Sequence, residues 1–175
     1  MIQSTLLLGL PAHLHLDQIE ITPQTLILSL AIETAEAACP LCQQISHRIH
    51  SHDTRTLADL PCGGKALRLL VMIRRFFCKN ETCSRKIFAE RVPDVTSAYA
   101  RRTTRCRETL AALGFALGGK AAVALGAYLG VQSSRMTILR ILRQTPVPAA
   151  PTPKMLGVDE LALRRGEKYG TILIN

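Results

Sequence analysis

The chain has 175 residues, of which 47% are hydrophobic, 20% charged and 4% aromatic, with no Trp and a formal net charge of +9. That length holds one sizeable domain or two to three small ones, and the apolar content excludes a disordered chain. No basic n-region precedes the apolar start, which Gly9, Pro11, His13 and His15 interrupt, and no apolar stretch approaches the ~20 residues of a membrane span. A cytoplasmic location without a membrane partner is therefore expected, where cysteines are reduced or metal-bound rather than paired.

Residues 1–38 carry Asp17, Glu20, Glu33 and Glu36 and neither Lys nor Arg. They read as two strands: Leu14, Leu16, Ile19 and Ile21 precede a Thr22-Pro23 break, and Leu26 to Ile32 follow it. All 22 basic residues lie beyond this segment. The window 74–107 holds ten of them against Glu81, Glu90 and Asp94. A cluster of that sign attracts a polyanion, because each neutralised phosphate releases condensed counterions.

Residues 39–93 are rich in cysteine and in strand-like sequence. Cys39-Pro-Leu-Cys42 places two thiols at knuckle spacing, and Cys78 and Cys83 form a second pair with four residues between them. Two such pairs match a closed tetrahedral Zn²⁺ site, in which four thiolates leave no open position for water. A redox Cys-x-x-Cys and a disulfide framework compete with this reading. The redox motif wants a strand-to-helix setting, whereas strand-like sequence flanks this knuckle on both sides. Cys62 and Cys106 are left over and read as ordinary buried thiols, and His47, His50 and His52 as a polar strand face. Between the pairs, Leu67, Leu69, Val71 and Ile73 alternate with Arg68, Leu70, Met72 and Arg74, and Gly63-Gly64 opens that strand with a turn.

Beyond Pro93 the texture becomes helical, with helices expected over 98–117, 119–129 and 133–144. Residues 122–139 fit a helix-turn-helix. Leu125 and Leu129 share a face, Gly130 supplies the turn, Val131 plugs it, Ser133 or Ser134 caps the second helix, and Met136 and Leu139 face the core. Gln132, Ser133, Arg135, Thr137 and Arg140 then reach outward. Arg135 suits a bidentate contact to guanine, Gln132 one to adenine, and Arg140 a phosphate. Arg101, Arg102 and Arg105 form a basic arm beside them. An ordinary helical hairpin fits the same spacing. Pro146, Pro148, Pro151 and Pro153 make 146–153 a stiff linker, and 154–175 reads as a hairpin.

Taken in order, Cys39-Pro-x-Cys42, Asp59-Leu-Pro, Arg74-Arg-Phe-Phe-Cys78, Cys83-x-Arg-x-Ile-Phe-Ala-Glu-Arg91, Arg101-Arg-Thr and Gly157-Val-Asp-Glu-x-Ala-x-Arg-x-Gly166 resemble the insertion-sequence transposases of the ISL-three group. The resemblance implies an α+β protein with five parts: an N-terminal strand segment (1–38), a β-rich zinc ribbon (39–93), a helix-turn-helix domain (94–145), a linker (146–153), and the opening hairpin of an incomplete RNase H-like domain (154–175). It implies binding of double-stranded DNA at terminal inverted repeats and self-association into a homo-oligomer. It also makes Asp159 the first of three catalytic carboxylates, which would hold Mg²⁺ in a full-length relative. With the partners of Asp159 beyond residue 175, no strand transfer is expected of this chain alone. The alternative is a transcriptional regulator derived from a transposase, which leaves 157–171 unexplained.

Overall fold

The computed structural model describes residues 9–146, 157–164, 166 and 168–174, and the chain divides into two compact units, Met1–Thr145 and Pro146–Asn175. In the first unit, β1 (Leu14–Ile21) and β2 (Thr25–Ile32) form an antiparallel hairpin. Its turn is closed by Thr22 Oγ1, which accepts from the Thr25 N–H at 2.9 Å. A longer hairpin joins β5 (Ile49–Cys62) to β6 (Lys65–Phe77). Gly63 and Gly64 close it with φ of 57° and 74°, a two-residue turn that needs positive φ at both positions.

β6 is the central strand. β5 lies along one edge of it, and β2 lies parallel to the other with Leu28 opposite Leu69. Beyond the end of β2, the short β7 (Ile87–Ala89) pairs antiparallel with β6, Phe88 facing Phe76. The segment 1–38, set apart in the sequence by its acidity, is thus woven into the same sheet as residues 49–77. The alternation expected in β6 is present: Leu67, Leu69, Val71 and Ile73 are buried and Arg68 and Met72 exposed. They pack with Leu14, Leu28, Leu30 and Leu57 into one core, which Val92 and Val95 also enter.

The first helix starts later than its composition suggests. Residues 98–103 stay out of it because their backbone follows β5: the Ala58 N–H donates to Arg101 O and the Thr103 N–H to Ala58 O, both at 3.0 Å. Thr103 Oγ1 then accepts from the Cys106 N–H and caps α1 (Thr104–Tyr128). Gly118, at φ 72° and ψ 169°, breaks α1 into the two expected pieces. After a turn at Gly130 (φ 85°), Ser134 caps α2 (Arg135–Gln144) by accepting from the Thr137 N–H.

The helices meet on a different face from the one expected. Leu125, Leu129 and Met136 are 39%, 50% and 61% exposed and Leu139 is half-buried; Val131 is buried as expected of the turn, but the core otherwise takes Leu110, Ala122, Ile138 and Ile141. Small residues explain the rotation. A side chain at Gly114 would meet Ile138 and Leu142 of α2, and one at Gly126 would lie 3.2 Å from the Val131 carbonyl in the turn, so the glycines make room for this face. By length and composition α1 is apolar enough to cross a membrane, contrary to the reading that no such stretch exists. In this unit it is broken at Gly118 and packs against α2 and β5.

In the second unit, β8 (Gly157–Arg164) and β9 (Lys168–Ile174) form the expected antiparallel hairpin, with Gly166 at φ 79°. The linker at 146–153, Pro146 apart, lies outside the described residues.

Candidate metal centre and nucleic-acid interface

The first knuckle is shaped by its own backbone. A two-residue hairpin, β3 (Ala37–Ala38) with β4 (Ile45–Ser46), brackets it. The Gln43 N–H donates to Cys39 O at 2.9 Å while Gln43 takes a left-handed φ of 60°, so the chain reverses within the Cys39–Gln44 loop. The second knuckle leaves the end of β6 at Cys78 and returns through β7, its turn fixed by Asn80 Oδ1, which accepts from the N–H and hydroxyl of Thr82. Phe76 and Phe88, stacked 5.9 Å apart, bury themselves with Cys39 and Cys83 in a small core of their own.

All four sulfurs lie within 4.8 Å of one another; Cys39 and Cys83 are 4.0 Å apart and Cys42 and Cys78 3.5 Å. Sulfurs on a tetrahedron with Zn–S of ~2.3 Å are about 3.8 Å apart, so the cage already has the size of the ion. Disulfides, with S–S near ~2.05 Å, do not fit these separations. The thiols also disagree about ionisation. Burial alone would raise Cys39, but the Cys42 and Leu41 N–H groups turned on its sulfur bring it down to about 7. Cys78 gains from the Asn80 N–H, yet burial and the three crowding sulfurs push it up to about 12. Four thiolates this close repel one another, and a dication at their centre relieves it.

Cys62 and Cys106 stay outside the cage. Cys106 is fully buried in the helical core, and burial pushes its thiol up to about 11. The three histidines are exposed: His47 lies 3.5 Å from Glu36, and His50 packs edge-on against Phe77.

Two buried ion pairs organise the surroundings. Arg74 grips Glu90 through Nε at 3.1 Å and Nη2 at 2.7 Å, while its own N–H donates to Glu90 Oε1 at 2.6 Å, tying β7 to β6 beside the cage. Asp59, on β5, accepts from Thr103 Oγ1 at 2.6 Å, from the Leu60 N–H and Arg105 Nε at 2.8 Å, and from Arg105 Nη2. Burial opposes ionisation of Asp59, but these donors and the Arg105 charge outweigh it and hold the carboxyl below its usual range. This pair joins the start of α1 to the sheet.

The residues expected to meet DNA are thus sorted by the fold. Arg105 has a partner inside the protein in Asp59. Arg101, Arg102, Thr137 and Arg140 line one groove of about 850 Å³ between the 97–102 loop and α2. Arg107, which no sequence signal separated from its neighbours, joins them there, its Nη2 donating to Gln144 Oε1. Gln132, Ser133 and Arg135 are not part of that groove; the Gln132 carbonyl accepts from Arg102 Nη2 at 3.3 Å, and Ser133 Oγ is buried without a partner among the described residues. Asp159 is exposed on β8, its Oδ1 accepting from the Glu160 N–H. Among the described residues, the four cysteines are the one metal-capable cluster of three or more ligands.

Two paired knuckles holding four thiols at metal-binding distances, on a β-rich frame, define a zinc ribbon. Residues 35–83 match a family described as the zinc-finger of transposase IS204/IS1001/IS1096/IS1165, and the four cysteines all lie within that match. The resemblance read beyond residue 83 lies outside it. Searches of curated proteins and of solved structures gave no match.

Proposed function

We propose that the first unit is the DNA-binding part of an insertion-sequence transposase, which recognises the terminal inverted repeats of its element. One observation carries this reading: a ribbon matching a transposase zinc-finger shares its compact unit with a groove lined by Arg101, Arg102, Arg107 and Arg140. Zn²⁺ has a structural role here, held by Cys39, Cys42, Cys78 and Cys83, while the arginines meet phosphates. Gln132, Arg135 and Thr137, around the start of α2, supply base contacts, while Ser133, expected to join them, has its Oγ buried. Asp159 is assigned as the first catalytic carboxylate by resemblance. The described residues are assigned binding alone, since Mg²⁺-dependent strand transfer needs further carboxylates.

Fluorescence anisotropy with inverted-repeat duplexes, titrated with salt, tests the proposal. Each phosphate-contacting arginine replaced by alanine is expected to lower the salt slope by about one, and Arg135→Ala to relax sequence preference at a cost of ~1–3 kcal/mol. Binding without salt dependence, or equal affinity for repeat and unrelated duplexes, refutes it.

A further inference from the structure

Tyr99 sits where folding alone gives no reason for a tyrosine. Its φ of 60° is left-handed, a conformation that costs a side-chain-bearing residue energy and that glycine adopts freely. The residue is 85% exposed. Yet the loop around it is firmly built. Arg55 Nη2 donates to the carbonyls of Ser97 at 3.0 Å and Ala100 at 2.5 Å, Thr96 Oγ1 donates to Arg102 O at 2.9 Å, and β5 holds Arg101. A strained, exposed aromatic ring is therefore presented on a fixed support.

Its surroundings are cationic on both sides. Tyr99 lines the groove formed with α2, and it also lines a second groove of about 600 Å³ on the ribbon side, with Arg75, Arg85 and Arg91. The Arg91 guanidinium lies over one face of the ring, 5.5 Å from its centroid. In this second groove Arg75 pairs with Asp53 at 3.2 Å and Glu90 is taken by Arg74, whereas Arg85 and Arg91 have no carboxylate at ion-pair distance among the described residues. A simple anion or an acidic peptide would use the arginines and leave the ring idle. A nucleic acid offers phosphates to the grooves and a base to the ring.

We propose that the two grooves form one track for duplex DNA and that Tyr99, on the ridge between them, wedges its ring against a base step of the bound duplex. This rests on the DNA-binding reading above and deepens it.

The chain has three tyrosines and no Trp, so its intrinsic emission reports tyrosine alone. The test titrates the full chain with sheared mixed-sequence duplex DNA, following tyrosine emission and, with a labelled duplex, anisotropy. The wild type is expected to bind and lose part of its emission. Tyr99→Gly is expected to melt no lower than the wild type but to bind about tenfold more weakly, the order of one base–aromatic contact. Tyr99→Phe keeps the ring, so it is expected to bind as the wild type does while losing a smaller share of its emission, since the exposed Tyr128 still reports. Wild-type affinity in Tyr99→Gly, or a loss of emission in Tyr99→Phe as large as that of the wild type, overturns the inference and leaves DNA binding standing. Absence of salt-dependent binding by the wild type brings down both.

Discussion

Substituting Cys83 by serine, or stripping the ion with a chelator, removes the four-sulfur link that joins the two knuckles to each other. The apolar support within this subdomain is the stacked pair Phe76 and Phe88, beside Cys39 and Cys83. Two fully buried phenylalanines contribute roughly 3–6 kcal/mol together. A structural zinc site contributes about 10–16 kcal/mol, so the metal is the larger of the two. The main core is built from other residues, among them Leu28, Leu30, Leu57, Leu69 and Val71, and contains none of the four ligands. Metal loss is therefore expected to melt the knuckles around residues 37–48 and 78–90 while β1, β2, β5 and most of β6 persist. Hydrogen exchange read by mass spectrometry, with zinc content measured on the same samples, resolves this directly. Peptides from both knuckles should lose protection on chelation and regain it when zinc is restored, while peptides covering 57–73 keep theirs. Unchanged knuckle protection would show that the cage needs no ion. Collapse of the whole sheet would show that the two cores are not separable.

Asp59→Ala removes the shared acceptor of Thr103, Leu60 and Arg105; a loss of roughly 3 kcal/mol in denaturant unfolding is expected from these hydrogen bonds, the one to a charged group being the strongest. Because the folded state holds Asp59 below its unfolded value of ~3.9, its contribution is complete above that pH and fades as pH falls through the folded pKa; the acid limb of stability should be shallower in Asp59→Asn. In zinc-loaded protein a thiol reagent should find Cys62 first, chelation should release the four ligands, and Cys106, buried and raised to about 11, should react only on unfolding. Gly118→Ala is expected to cost ~1–3 kcal/mol although nothing lies within 4 Å of the added methyl, since φ 72° with ψ 169° is open essentially to glycine; an unchanged melting temperature would show that the break in α1 can move elsewhere.

Local features were legible in the chain itself. Cysteine spacing marked the four ligands, Gly63-Gly64 the β5–β6 turn, alternation the buried side of β6, and Gly118, Gly130 and the Ser133-Ser134 pair the divisions of the helical region. Each is written in a few consecutive residues, because turn conformation, capping and strand periodicity are set by near neighbours. What the sequence left open was decided by contacts between distant segments. Composition separated residues 1–38 from the ribbon, but the parallel pairing of β2 with β6 made them one sheet. Helical spacing pointed Leu125, Leu129 and Met136 inward, but close approach at Gly114 and Gly126 turned another face to the core. Ten basic residues looked alike in one window; packing gave Arg74 to Glu90 and Arg105 to Asp59, and left Arg101, Arg102 and Arg107 along a groove with Arg140. Charge is a property of the residue, whereas its availability depends on which partner the fold brings within reach, and that only the tertiary structure decides.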